Sequence, residues 1–261
     1  MKNMTAGAAL LAIVALSSPA RAADTVSFLA PEAQTTEQNG WTYSVTPYFW
    51  AAMLSGEIAQ FNSPTVDVDA SFSDILDNLD FAAMAIGEAR NGRFSLVGDL
   101  IYTKLSSGSA TPYGIVAESV DVQSSTFAAL AGAGYSVLEG ASGRLDVVAG
   151  LRVWSVNSEI SFSGGILHDK TRGDGATWVD ALVGVRGNYA LTPQFHLMGW
   201  GLVGAGGADL DWDVAAGVGY RINDTFSATL GYRALGVDYS NDGFRFDVVQ
   251  QGPIAGLTAH F

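Results

Sequence analysis

The sequence has no cysteine, few basic residues and a single short apolar run. Without cysteine the chain can form neither disulfides nor thiolate metal sites, and it cannot carry a lipid on an N-terminal cysteine. The chain has 13 lysines and arginines and 26 aspartates and glutamates, which gives a net charge of −13. Because nucleic acid repels a chain this acidic, we expect no nucleic-acid partner.

The apolar run lies at the N-terminus and has the pattern of a secretory signal peptide. Lys2 precedes the apolar stretch 6–16, and Ala20-Arg21-Ala22 is a small-x-small cleavage site. We therefore predict a signal peptide over 1–22, whose removal takes away Lys2 and Arg21 and changes the net charge from −13 to −15. No other stretch is apolar over the roughly 18 residues that a membrane-spanning helix needs.

Hydrophobicity alternates with period two through the rest of the chain. In 210–221 (LDWDVAAGVGYR) one face carries Leu, Trp, Val and Tyr, whereas the other carries Asp, Gly and Arg. Aromatic residues also lie near predicted strand ends: Trp41, Tyr135, Tyr189, Tyr220 and Phe261. A soluble β-sandwich alternates too, but it hides its apolar face and needs no aromatic girdles. The combination is typical of transmembrane β-barrels.

The turn signals divide this part of the chain into ten strands. We predict strands at 41–59, 79–90, 93–108, 114–138, 143–163, 175–190, 194–206, 208–222, 225–240 and 243–261. Alternate connections are short (Asn91-Gly92, 139–142, 191–193 and 222–224), whereas 60–78 and 164–174 are long. Because outer-membrane barrels have short periplasmic turns and longer outer loops, we expect both termini in the periplasm.

The predicted fold class is all-β: a closed antiparallel transmembrane β-barrel of about ten strands, within limits of 8–12. The barrel occupies 41–261, and a flexible periplasmic segment at 23–40 precedes it. We expect the protein in the outer membrane, surrounded by its lipid.

Charged residues on the polar face are predicted to point into the barrel, because Arg or Lys facing lipid costs about 2–4 kcal/mol at the midplane. They are Glu88, Asp99, Asp146, Arg152, Asp180, Arg186, Asp213, Arg221 and Arg233. One antiparallel register opposes Asp146 to Arg186, and the same register opposes Arg152 to Asp180. A three-residue turn at 222–224 opposes Asp213 to Arg233. These ion pairs either plug the lumen or line a narrow pore for small solutes.

The sequence contains few residues or motifs that could form a catalytic site. It has no zinc motif, no G-x-S-x-G elbow and no phosphate loop, so we predict neither metal nor cofactor. His168, beside Asp169 in a predicted outer loop, leaves a surface hydrolase as an alternative. A glycine-rich loop holds catalytic groups poorly, however. We therefore expect a non-enzymatic barrel with a structural or surface-interaction role.

The acidic stretch 72–81 (FSDILDNLDF) has helical rather than strand periodicity. Its apolar residues fall at i, i+3, i+4 and i+7, on one face of a helix: Phe72, Ile75, Leu76 and Leu79. Ser71 and Asp74 have the spacing of a capping box. We predict a short amphipathic helix in the first outer loop, which caps or lines the barrel mouth with its apolar side turned inward.

Two other interpretations of this stretch compete with the helix. A calcium loop beginning at Asp67 would require glycine at Phe72 and glutamate at Asn78, so the sequence fails at both positions. A ligand-binding rim stays open as the second interpretation.

Six segments together resemble a known family: WTYSVTPYFWAA, VDVDASFSDILDNLDFAAM, GDLIYTKLS, WVDALVGVR, GVGYRINDTFSATLGYRALGVDY and GPIAGLTAHF. Over most of 41–261 the chain resembles a family of small proteobacterial outer-membrane β-barrel proteins, which are distant relatives of OmpA-like and opacity-type barrels. The resemblance implies a fold and a location but brings no catalytic residues. The final strand, ending in Phe261, resembles the segment that the barrel assembly machinery reads, so this machinery is an expected partner.

Overall fold

Twelve strands and one short helix make up the described part of the chain. The computed structural model describes residues 40–61, 63–110, 119–164 and 170–261. The predicted signal peptide, nearly all of 23–40, and His168 lie outside these ranges. The elements are β1 Thr42–Trp50, β2 Met53–Ala59, β3 Val66–Ala70, α1 Phe72–Asp77, β4 Leu79–Asn91, β5 Phe94–Ala110, β6 Ser119–Gly140, β7 Gly143–Ser163, β8 Lys170–Ala190, β9 Phe195–Gly206, β10 Leu210–Arg221, β11 Phe226–Asn241 and β12 Phe244–His260.

The sheet closes on itself as an antiparallel barrel. Each strand from β4 to β12 pairs with the next, β4 pairs with β1, and β12 returns to pair with both β1 and β2. Since β1 and β2 are two parts of one wall strand, and β3 and β4 are two parts of the next, the wall has ten strands. The predicted ten-stranded closed barrel is confirmed. In the described ranges, no helix is both long and apolar enough to span a membrane.

The two ends of the barrel differ in their connections. The turn end holds Thr42, His260 and four connections of two to four residues: 92–93, 141–142, 191–194 and 222–225. We name the opposite end the loop end. The predicted Asn91-Gly92 turn is shifted by one residue, because Asn91 pairs with Phe94 and the turn consists of Gly92 and Arg93. Gly92 has a φ of 53°, which glycine adopts without strain.

The outward face carries a row of exposed aromatic side chains at the turn end. These side chains come from seven strands and are 40–64% exposed: Tyr43, Phe94, Tyr135, Tyr189, Phe195, Tyr220 and Phe226. Three of the five predicted girdle residues belong to the row, and the other two, Trp41 and Phe261, adjoin it at the termini. A second outward row lies toward the loop end: Phe49, Phe81, Tyr102, Trp212 and Tyr232.

The outward surface between the two aromatic rows is apolar. Its exposed side chains include Leu96, Leu100, Val147, Leu151, Val183, Leu197, Val203, Val214, Val218 and Leu230. On β5 the rows are eight residues apart, from Phe94 to Tyr102. This is about 27 Å along the strand, or about 20 Å along the axis at the usual tilt. The band is thus close to the roughly 25 Å apolar height of transmembrane barrels.

The strands β6, β7 and β8 continue well beyond the second aromatic row. They are 22, 21 and 21 residues long, compared with 12 residues for both β9 and β10. The outward side chains of β7 change from Val153 to Ser155, Asn157 and Glu159 in this extension. One side of the barrel therefore projects past the apolar band as a polar sheet.

The helix α1 interrupts the second wall strand between β3 and β4. Ser71 caps it: its hydroxyl accepts from the Asp74 amide at 3.3 Å, and its own amide donates to the Asp74 carboxylate at 2.9 Å. In the described residues β3 pairs with β2 alone, and Ser107–Ala110 of β5 pairs with β6 alone. We name the unpaired interval between these two segments the wall gap.

The predicted inward orientation of the helix is wrong. No residue of α1 is buried, and Leu76 is 49% exposed. The Phe72 ring packs edge-on against Phe49, with 5.7 Å between ring centroids. Phe49 points away from the lumen, so its contact with Phe72 places the apolar side of the helix on the outside of the wall. Leu79 lies beyond the helix, as the first residue of β4.

Candidate functional site

A buried group of ion-paired side chains lies in the middle of the lumen. We name it the central cluster: Asp99, Asp211, Asp213, Arg152 and Arg233. Arg152 binds Asp211 at 2.5 Å and Asp213 at 2.7 Å. Arg233 binds Asp213 at 2.6 Å and also binds Asp99. Arg233 is 1% exposed. Charges this deeply buried are tolerated only when hydrogen bonds satisfy them, as they do here.

Aromatic side chains complete the hydrogen bonding of the central cluster. The indole of Trp200 donates to Asp213 at 2.9 Å, and that of Trp154 donates to Asp211 at 2.8 Å. Tyr48 accepts from Arg233 at 2.7 Å and donates to Asp99 at 2.9 Å. The Arg233 guanidinium also lies 5.4 Å from the ring centroid of Trp200. These contacts hold the cluster in one arrangement across the lumen.

On the loop-end side of the central cluster, four aromatic rings lie in the lumen. We name Trp154, Trp178, Tyr239 and Phe246 the aromatic plug. Trp178 stacks on Tyr239 at 4.0 Å and on Trp154 at 5.9 Å, measured between ring centroids. All four side chains are buried. A ten-stranded barrel is only slightly wider than the eight-stranded size that side chains fill.

A second ionic group lies nearer the turn end. This turn-end cluster consists of Glu88, Asp146, Arg90, Arg144 and Arg186. Glu88 binds all three arginines, at 2.9 Å to Arg90, 3.2 Å to Arg144 and 3.1 Å to Arg186. Asp146 binds Arg90 and accepts from the hydroxyl of Ser136 at 2.5 Å. Two carboxylates thus face three guanidinium groups.

The turn-end cluster borders a cavity of about 160 Å³. Asp224 and His260 line it near the turn end, and Tyr48 and Trp200 line it next to the central cluster. The cavity therefore extends from the turn end to the central cluster. Within the described ranges, no group of three or more His, Cys, Asp or Glu residues could hold a metal ion.

The structure places the nine predicted lumen residues inside the barrel but not all in the predicted pairs. The register between β7 and β8 is confirmed, since Asp146 lies opposite Arg186 and Arg152 lies opposite Asp180. Neither of the two ion pairs predicted from this register forms. Asp146 binds Arg90 and Arg186 binds Glu88. Arg152 binds Asp211 and Asp213. Side chains in a closed lumen reach across it and are not limited to neighbouring strands.

The predicted Asp213–Arg233 pair forms, although in a different register. Arg233 lies opposite Ala215, so the two charges are diagonal neighbours. The turn has four residues rather than three, because the Asn223 side chain accepts from the amides of Thr225 and Phe226. The long arginine side chain spans the two-residue offset.

Two predicted residues stand apart from both clusters. Asp180 is fully buried and accepts from the Ala208 amide at 2.8 Å. Arg221 lines the cavity near its mouth and donates to the Pro193 carbonyl at 3.0 Å.

The prediction of the two ionic clusters missed the charged residues Arg90, Arg144 and Asp211, and it missed Tyr48. Strand parity could have found the three charged residues. Arg90 has the parity of Glu88, Arg144 that of Asp146, and Asp211 that of Asp213. Tyr48 has the same inward parity as Trp50. Aromatic residues occur on both faces of β1, however, so the sequence alone does not show which face of this strand points into the lumen.

Comparisons with known proteins support the fold. The structure is similar to that of the outer membrane protease OmpT from Escherichia coli, with a TM-score of 0.56 and 12% identity over 89% of this chain and 100% of that chain. Ail, the attachment invasion locus protein of Yersinia pestis, matches with a TM-score of 0.34 and 11% identity over 85% and 99% of the two chains. Neisserial surface protein A matches with a TM-score of 0.34 and 12% identity over 85% and 99%.

The chain therefore has the fold of outer-membrane β-barrels, for which the likeness to OmpT is sufficient. At such identities the likeness establishes the fold and carries no activity with it. No protein-family model matches the sequence. No curated protein matches it either.

Proposed function

We propose that this protein is an integral outer-membrane barrel with a closed lumen and a non-enzymatic, structural or surface-interaction role. The apolar band between two aromatic rows supports insertion into lipid. The short connections support an orientation with the turn end in the periplasm. The polar extension of β6, β7 and β8 would then stand at the cell surface, where it offers a surface for interaction.

The observation that carries this proposal is that two buried layers of side chains, the central cluster and the aromatic plug, lie across the lumen. The central cluster crosses the lumen from β5 through Asp99, from β7 through Arg152 and from β11 through Arg233. The aromatic plug lies directly beyond it, through the contact between Trp154 and Asp211. An ion moving along the axis would have to displace both layers. The charged residues thus act as a plug rather than as the lining of a channel.

Planar-bilayer recording tests this proposal. We expect the purified barrel to give no steady single-channel steps. A heat-modifiable shift on a gel in detergent confirms that the preparation is folded. Steady steps that change with Arg152→Ala would contradict the closed lumen, and a freely soluble refolded monomer would contradict the membrane barrel.

A narrow pore or transporter for small solutes is the second candidate. The cavity at the turn end favours it, since this cavity already penetrates to Tyr48 and Trp200. Displacement of the central cluster would extend the cavity toward the loop end. Conductance that appears only above a threshold voltage would support this candidate over a permanently closed barrel.

A surface hydrolase is the least favoured function. OmpT is a protease, but the likeness to it is one of fold. Protease and lipase assays on intact protein and on His168→Ala test the non-enzymatic proposal, since any activity lost in the variant would contradict it. The kinship with OmpA-like and opacity-type barrels, and recognition of Phe261 by the barrel assembly machinery, stay predictions.

A further inference from the structure

The helix α1 has an apolar side that the described part of the chain covers only in part. None of its residues is buried. Phe72 and Ile75 are half-buried, whereas Leu76 is 49% exposed. Phe72 and Leu76 are four residues apart, so they lie on the same side of the helix, one turn from each other. The apolar side thus begins against the wall at Phe72 and becomes exposed at Leu76.

This apolar side is continuous with the apolar band on the outside of the barrel. The Phe72 ring packs edge-on against Phe49, with 5.7 Å between ring centroids. Phe49 belongs to the outward aromatic row toward the loop end, and so does Phe81, which follows the helix in β4. Both phenylalanines are 55% exposed. The helix therefore lies where the apolar band ends, which in transmembrane barrels is the boundary between acyl chains and headgroups.

The other side of α1 is polar and charged. Ser73, Asp74 and Asp77 are all exposed, and the chain has no lysine or arginine within 57–89 that could neutralise these carboxylates locally. Charged groups are costly among acyl chains, so this side has to face water or headgroups. A helix with one apolar and one charged side lies in the plane of the membrane interface.

The wall fixes the position of α1 at both ends. Before the capping residue, Ala70 of β3 pairs with Leu54 of β2. After the helix, the carbonyl of Asn78 accepts from the amide of Ser106 on β5 at 2.8 Å. Because both ends are held by the sheet, the apolar side of the helix keeps a constant direction relative to the apolar band.

We infer that α1 is an interfacial helix whose apolar side binds the acyl chains of the leaflet on the loop-end side. Phe72, Ile75 and Leu76 form the lipid contact, and Asp74 and Asp77 face headgroups and water. The inference rests on the proposed insertion of the barrel into lipid. It gives the helix a role in anchoring the barrel, in place of the predicted role at the barrel mouth.

Nitroxide spin labels in phosphatidylcholine vesicles test this contact, and a single introduced cysteine takes one label because the sequence has none. Labels at Leu76→Cys and Asp77→Cys are compared with Leu100→Cys in the apolar band and Glu159→Cys in the polar extension. Collisions with oxygen, which concentrates among acyl chains, and with a water-soluble nickel chelate measure the depth of each label. We expect the Leu76 label about 5–10 Å inside the boundary.

The Leu76 label should thus collide with oxygen more often than with the chelate, as the Leu100 label does. The Asp77 label should show the reverse preference, as the Glu159 label does. A heat-modifiable gel shift should verify that each variant is folded.

A Leu76 label that meets the chelate as often as the Asp77 label, while the Leu100 label stays in lipid, would overturn the interfacial helix and leave the membrane barrel standing. A Leu100 label exposed to the chelate would overturn the membrane barrel, and the inference with it. Spin–spin broadening at Leu76 would show that a second copy covers the helix. Protection from both reagents without broadening would show that other parts of the chain cover it. Either of these two results would also overturn the inference.

Discussion

The two ionic clusters of the lumen use the same residue types in opposite proportions. The central cluster sets two arginines against three aspartates, and its side chains are at most 9% exposed. The turn-end cluster sets three arginines against two carboxylates beside a cavity, and Arg186 is 26% exposed. We expect removal of one charge to cost more in the central cluster, because its side chains are more deeply buried.

The largest difference between the clusters should be seen when a central arginine is removed. Arg233→Met leaves Asp213 and Asp99 without their shared partner inside the lumen. We expect the free energy of unfolding to fall by about 3–5 kcal/mol, the usual cost of breaking one side of a buried pair. Urea unfolding in lipid vesicles measures it. Arg245→Met on the outer wall is the control, with an expected cost below about 1 kcal/mol. An equal loss of unfolding free energy in the two variants would contradict a special contribution of the central cluster to stability.

Double-mutant cycles should show the same difference between the two clusters, measured as the coupling energy between the two partners of an ion pair. For Arg152→Met with Asp211→Leu, we expect a coupling of about 2–3 kcal/mol, because this contact is short and fully buried. For Arg186→Met with Glu88→Leu, we expect less than about 1 kcal/mol, because Arg186 is partly hydrated. Vesicle unfolding of the four variants in each cycle gives both values, and a larger coupling at the turn end would reverse the comparison.

A single substitution at the turn end should be mild. Arg186→Gln leaves Glu88 bound to Arg90 and Arg144, and it brings the number of arginines in the cluster into line with that of the carboxylates. We expect a loss of less than about 1 kcal/mol in the free energy of unfolding. A loss as large as that for Arg233→Met would show that the turn-end cluster also stabilises the fold.

The smallest effect concerns Asp74, an exposed carboxylate that binds neutral donors instead of arginines. The Ser71 hydroxyl, and then the Ser71 amide, hold the pKa of Asp74 below its usual range. A lowered pKa in the folded state means that the capping contribution is present at neutral pH and is lost as pH falls below about 4. Backbone 13Cα shifts of Phe72–Asp77 between pH 7 and pH 2.5 should show α1 weakening.

Ser71→Ala is the control for this titration, since it removes the hydroxyl donor. The variant should show a weaker helix at neutral pH and a smaller change on acidification. A helix that is unaffected by pH in the unaltered protein would contradict the capping role of Asp74.

The alternation of the sequence predicted the wall well. Period two identifies both the strand and the face of each residue, so the ten strands, the inward charges and the β7–β8 register follow from Asp146, Arg152, Asp180 and Arg186. Which charges bind one another does not follow from it. Contacts such as that from Arg152 to Asp211 cross the lumen between strands that are not neighbours, and no pairing rule along the chain describes them.

The sequence could not predict the orientation of α1 either. Periodicity gave the apolar face of Phe72, Ile75 and Leu76 but not the surface that it would meet. A barrel in lipid offers an apolar surface on its outside as well as in its lumen, so the usual rule that an apolar face points inward does not decide between them. The contact between Phe72 and Phe49 decides it in favour of the outside.

Among the residues that the structure describes, the wall gap leaves one edge of β3 without a partner strand. An open strand edge is a template on which a second molecule can add a strand, and proteins discourage this with charges on the edge. In β3 the exposed Asp67 and Asp69 alternate with Val66 and Val68. Two barrels that met edge to edge here would bring like charges together. The aspartates whose spacing first suggested a metal loop would thus disfavour edge-to-edge pairing of two barrels at β3.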